Sequence, residues 1–152
     1  MFSGNESESS IPAATIQAYR ETHYKVFTAP GSTEVAFTLR VDQPCPELSR
    51  AQADCGVSSS AYLTACNPFS EKVLPPEAND KLQRLLANEL TKLGLAFDEG
   101  IGQHPDPGWP GEASFLVYGI DLHRAKQVGI AFQQNAFVWC SSDATPRLVL
   151  LR

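Results

Sequence analysis

The sequence predicts an α+β domain: a mixed or antiparallel sheet with two main helices packed on it in two layers. Three observations lead there. Helical and strand-like segments interleave along the chain. Hairpin patterns occur near both ends. Two segments carry a sustained helical period of apolar residues.

The first residues, "MFSGNESESS", are rich in Ser and Glu, and residues 1–12 are expected to form a mobile tail ahead of a single domain over 13–152. Ile16, Tyr19 and Tyr24 follow on a segment that begins as a short helix and ends as a strand. "YKVFTAPGSTEVAFTLRV" reads as a hairpin. Pro30-Gly31 supplies the fixed φ and the positive φ of a type II turn. Val35, Phe37, Leu39 and Val41 alternate with smaller or polar residues, the period of a half-buried strand. A Pro- and Ser-bearing connection over 42–60 holds one helical turn near Glu47 to Ala51, and "SAYLTAC" is the next strand.

The first main helix lies in "EANDKLQRLLANELTKLGL", where Leu82, Leu85, Leu86, Leu90 and Leu93 keep helical spacing and Gly94 stands at the C-terminal cap. "AFDEG" suggests a short strand, then comes a Pro/Gly-rich loop, then the strand "SFLVYGI". Asp121 is placed to cap the second main helix, with Leu122, Ala125, Val128, Gly129 and Phe132 inward. "NAFVWCSS" and "RLVLLR" form the last strands, joined through "DATP".

Composition bounds the function. The 152 residues suit one core, and 43% hydrophobic with 19% charged residues is ordinary for a globular protein. A formal charge of −5 argues against a phosphate-backbone binder. No apolar run is long enough to span a bilayer, and the N-terminus lacks the basic and apolar regions of a secretory signal. Cytoplasmic residence is therefore the expectation, and Asn5-Glu6-Ser7 is read as a chance sequon. Cys45, Cys55, Cys66 and Cys140 form no C-x-x-C pair and are expected to stay thiols, although Cys45 and Cys55 flank one loop. His23, His104 and His123 match no metal spacing, so neither metal nor cofactor is expected.

Four short motifs stand in order: "TACNPFS" (64–70), Asn79 at a helix start, "WPGEAS" (109–114) and "FQQNAFVW" (132–139). In these the chain resembles the bacterial DUF3293 family, from about Tyr19 to the C-terminus. That resemblance implies a small protein of unknown function. It adds weight to the polar residues of the motifs and assigns them no task.

Each of those residues has a structural and a functional reading. Asn67 leaves a strand before Pro68, where Asn serves turns well, or it touches a ligand. Ser70 makes a local turn bond or binds an anion. Asn79 caps its helix or meets a ligand at the positive end of the helix dipole. Glu112 and Ser114, two apart on an extended segment, point to one side. Glu112 is either a solvated carboxylate or a general acid/base, and Trp109 is either loop packing or a wall for a planar ligand. Gln133, Gln134 and Asn135 end a helix or offer amides to a base or sugar edge. Arg84 and His123 should face outward, and His104 with Asp106 is a weaker candidate base.

The favoured reading is a small-molecule pocket at strand–helix junctions, for a nucleotide-like or phosphorylated ligand, with Glu112 as the base of a hydrolysis or transfer. The alternative is a non-enzymatic regulatory or interaction domain using the loop around Trp109. Convergence of Asn67, Glu112 and Asn135 separates them.

Overall fold

The computed structural model describes residues 9–152. Helix α1 (Ala13–Glu21) leads into the hairpin β1 (His23–Phe27) and β2 (Val35–Leu39). Helix α2 (Pro46–Asp54) precedes β3 (Ser60–Leu63), and a short 3-10 turn at Pro68–Ser70 precedes helix α3 (Pro76–Lys92). Strands β4 (Ala96–Gln103) and β5 (Glu112–Tyr118), helix α4 (Leu122–Ala131), β6 (Ala136–Cys140) and β7 (Arg147–Leu150) complete the chain. The seven strands form one sheet in the order β2-β1-β4-β5-β3-β6-β7. Every neighbouring pair is antiparallel, so the mixed-sheet alternative drops out.

Local signals place several of these elements. Gly31 sits at φ +78, and the Ser32 amide donates to the Ala29 carbonyl at 3.1 Å, which closes the Pro30-Gly31 turn. Gly94 ends α3 at φ +73. The Asp121 carboxylate accepts the Arg124 amide at 2.7 Å and caps α4. The connection over 42–60 is more ordered than one turn: α2 runs nine residues. Pro46 opens it where no amide hydrogen is needed, and Leu48 and Gln52 are buried.

The layering departs from the expectation of two layers and two main helices. Ala61, Leu63, Phe115, Val117, Phe137 and Trp139 join one core with Leu86 and Leu90 of α3 and Ala125 and Val128 of α4. Their alternates Tyr62, Leu116, Tyr118, Val138 and Cys140 join a second core with Ile16 of α1 and Leu48 of α2. Successive strand residues point to opposite faces, so the central strands are buried on both sides, each under a pair of helices. The apolar runs "FLVY" and "FVWC" are the mark of such strands. Most of the expected tail over 1–12 lies outside the described residues; within 9–12, Ile11 is buried in the second core.

The sheet curls strongly. The Tyr62 hydroxyl on β3 donates to the Lys25 carbonyl on β1 at 2.7 Å, although β5 and β4 lie between those strands. Three strand spacings on a flat sheet are about 14 Å, beyond the reach of a tyrosine.

The β6–β7 hairpin contains a separate ionic feature. Asp143 accepts from Arg147 through both oxygens, at 3.2 and 2.9 Å, and from the Thr145 amide at 3.0 Å. These contacts, Arg147 foremost, pull its pKa from 3.8 to about 2. A depressed carboxylate stabilises the fold above its unfolded pKa and loses that contribution as pH falls through the folded value. The pair is exposed, so Asp143→Asn should cost only about 0.5 kcal/mol at pH 7. Urea titrations should show the gap closing between about pH 4 and pH 2.

Candidate functional site

Where β3 ends, the chain leaves the ladder without stranding its amides. The Ala65 amide donates to Gln83 Oε1 of α3 at 2.7 Å, and the Cys66 amide to Thr64 Oγ1 at 3.1 Å. The Asn67 amide reaches Asn79 Oδ1 at 3.0 Å, and the Phe69 amide the Gln133 carbonyl at 2.6 Å. Every backbone donor from 65 to 70 thus has a partner, Pro68 having none to place. The backbone is nonetheless strained. Asn67, Phe69, Ser70 and Gln133 all have positive φ, between 47 and 57. Non-glycine residues reach that region at a cost of about 1–2 kcal/mol each, and such clusters gather at functional sites.

Asn67 is the hub. Its Nδ2 donates to Glu112 Oε2 at 2.6 Å, and its Oδ1 accepts the Leu74 amide at 2.8 Å and Asn79 Nδ2 at 3.0 Å. Asn67 is 7% exposed. Three segments distant in sequence therefore meet: the exit of β3, the first turn of α3 and the start of β5. Glu112 is half-buried and lines a cavity. Burial pushes its carboxyl pKa up, and the Asn67 amide only partly offsets this. Among the described residues no Lys, Arg or His forms an ion pair with it.

Asn135 holds the other side of the junction. Its Nδ2 donates to the Phe69 carbonyl at 2.8 Å and to Tyr19 Oη at 3.1 Å, while its Oδ1 accepts from Arg152 at 3.2 Å. The Arg152 guanidinium also lies 4.2 Å from the Phe69 ring centre. Tyr19 in turn contacts Ser70 Oγ at 2.8 Å. Burial, chiefly, raises the Tyr19 pKa, so its hydroxyl keeps its proton at neutral pH. The Cys66 thiol beside Asn67 is pushed up to about 11, again mainly by burial, and is no thiolate nucleophile.

A cavity of about 430 Å³ opens here, on the concave face that carries Tyr62. Asn67, Ser70, Trp109, Glu112 and Ser114 line it, as do Tyr19, Tyr24, Tyr62, His104 and Gln134. Asn79, Gln133 and Asn135 do not line it. The first and last of these act through hydrogen bonds to residues at the wall, while Gln133 is exposed and contributes its carbonyl to Phe69. Trp109 is 47% exposed and stacks on His104, ring centres 4.7 Å apart. His104 is anchored by Glu21 at 3.1 Å and by the Asp106 amide at 3.0 Å. Arg84 and His123 are exposed, as their helical positions foretell.

Sequence reasoning gave no site role to Tyr19, Tyr24 or Tyr62, which read as ordinary apolar-face aromatics. Gln134 carried a usable signal, its place in the "QQN" run. Among the described residues no group of three His, Cys, Asp or Glu is placed to hold a metal ion, and no helix is long and apolar enough to cross a membrane. The four cysteines are unpaired.

Residues 63–137 match the model of a family described as "Protein of unknown function (DUF3293)". That segment spans Asn67, Asn79, Glu112 and Asn135. No curated protein and no solved structure matches the chain.

Proposed function

Because the chain belongs, through residues 63–137, to the DUF3293 family, whose description assigns no activity, we propose its function from geometry: a small-molecule pocket at strand–helix junctions, with Glu112 as its central polar group. One observation carries the reading. A carboxylate without a cationic partner among the described residues is held by a dedicated amide at the wall of a cavity of about 430 Å³. Ligand pockets have about this volume, and buried charges left uncompensated mark sites that receive something. The strained backbone on both sides of the junction supports the same reading. If the pocket is catalytic, Glu112 is the group with a base's position and a raised pKa, in a hydrolysis or transfer. A nucleotide-like ligand would stack its ring against Trp109 and leave its phosphate near the exposed Lys72. Cytoplasmic residence belongs to this proposal.

Glu112→Gln tests the pocket. Glutamine can still accept from Asn67 Nδ2 while removing the charge. A carboxyl whose folded pKa is raised stabilises the fold below its unfolded value and loses that contribution as pH rises through the folded one. At pH 7 the variant should therefore be more stable, by about 1 kcal/mol. The gain should fade as pH falls toward 4.5, the ordinary value. Thermal shifts produced by a nucleotide and metabolite set on the native protein should disappear in the variant. Shifts equal in both proteins would remove Glu112 from the site.

The exposed Trp109 and Val73 favour the second reading, a regulatory or interaction domain. Under it, Trp109→Ala would abolish partner capture while the metabolite set shifted neither protein.

A further inference from the structure

The direction of the hydrogen bonds around the cavity defines the chemistry of its occupant, provided the pocket reading above holds. Tyr62 donates its proton to the Lys25 carbonyl at 2.7 Å, Tyr24 to the Tyr19 carbonyl at 2.5 Å, and Ser114 to the Glu112 carbonyl at 3.0 Å. Gln134 Nε2 donates to the carbonyls of Cys66 and Phe132 at 3.1 and 3.2 Å, which leaves Oε1 as its remaining capacity. Glu112, ionised, only accepts. Whatever polar contact these five side chains offer is therefore acceptance.

Besides the second hydrogen of Asn67 Nδ2, whose first goes to Glu112, the side-chain donors lie elsewhere. Asn135 Nδ2 donates to Tyr19 Oη, and the Tyr19 and Ser70 hydroxyls share one hydrogen bond, which leaves one of their two protons free to turn outward. Ser70 and Lys72 are both exposed. The His104 nitrogens are committed to Asp106 and Glu21, while Trp109 offers its ring face and its indole N–H. An anion placed against Glu112 would meet like charge and a wall of lone pairs. A cation there would meet a carboxylate with no cationic partner among the described residues, in a cavity that the Trp109 ring also lines.

We propose that the inner part of the cavity takes the nitrogen-rich, positively charged end of a small molecule, an amidine, guanidine or amine, with Glu112 as its counter-ion. A phosphate or carboxylate is disfavoured at that end by the Glu112 charge and finds donors elsewhere on the wall, at Ser70, Lys72, Thr15 and the Trp109 indole N–H.

The test uses probes that share one ring and differ in head group: benzamidine, benzyl alcohol, benzoate and phenyl phosphate, titrated into the full chain by NMR. Benzamidine should bind most tightly and move the indole resonance of Trp109. In Glu112→Gln its affinity should fall about 10- to 100-fold while that of benzyl alcohol holds. The head-group ranking in the native protein stands even if the variant fails to fold. If benzoate or phenyl phosphate perturbs the cavity more tightly than benzamidine, the cation assignment is overturned and the pocket reading survives. If no probe moves cavity resonances, the pocket reading falls, and this inference with it.

Discussion

Replacing Asn67 with alanine is expected to cost about 3–5 kcal/mol of folding stability, measured by urea unfolding. Three side-chain hydrogen bonds disappear together, to Glu112, Leu74 and Asn79. Each is worth about 1 kcal/mol net, but a buried partner left alone costs more, and here one partner is a carboxylate. Alanine must also occupy φ +47, which asparagine tolerates better. Asn67→Gly separates the two contributions. It removes the same bonds but accepts the backbone, so it should be less damaging than alanine by about 1 kcal/mol. An alanine variant within about 1 kcal/mol of the native protein would show that the network contributes little. The consequence for function is practical: Asn67 is too deeply structural for its loss to report on binding, and Glu112→Gln is the cleaner probe.

Gly100→Ala should damage the fold on a similar scale, by about 3 kcal/mol or more. A Cβ at this position would stand 2.1 Å from the Lys25 carbonyl oxygen and 2.9 Å from the Tyr62 hydroxyl. The first neighbour is backbone, so no rotamer change relieves the clash. Strand β1 must move away from β4, and the Tyr62–Lys25 bond across the curled sheet goes with it. A lower unfolding midpoint should accompany loss of slow amide exchange along β1. Exchange unchanged along β1 would mean that the close approach is not required.

The contrast between local and distant information explains what could be read in advance. The Pro30-Gly31 turn, helix α3 and the Asp121 cap each depend on residues within a few positions, and all are present. Helix α2 is legible only as one turn because its inward residues are Leu48 and Gln52, and a buried glutamine leaves no apolar period. It is held instead by Ser60 at 2.7 Å and the Ser141 carbonyl at 3.3 Å, neither legible from spacing. Layering is not legible in β5 and β6, because an apolar run marks a strand without saying what covers each face. Strand order depends on pairings such as Val26 with Gly100, far apart in the chain.

The site divides in the same way. Asn67, Glu112, Ser70 and Ser114 were visible as polar residues at element ends, and they line one cavity. Asn79, Gln133 and Asn135 were visible for the same reason but stand behind or beside its wall, because an amide at a junction serves the backbone as readily as a ligand. The tyrosines that shape the cavity were silent, since a tyrosine on an inward face reads as core until its hydroxyl partner is known.

The strand order has a kinetic meaning. The hairpin β1–β2 is made early in the chain but joins the sheet only through β4, some seventy residues later. Such non-local pairing is slow, because loop closure precedes the contacts that reward it. Tyr24 comes from that hairpin and Tyr19 from the helix before it, so the cavity is walled only after this docking. A bound molecule touching groups from both sides of that docking would accordingly act as a brake on unfolding, since the hairpin cannot leave the sheet without opening the place it occupies.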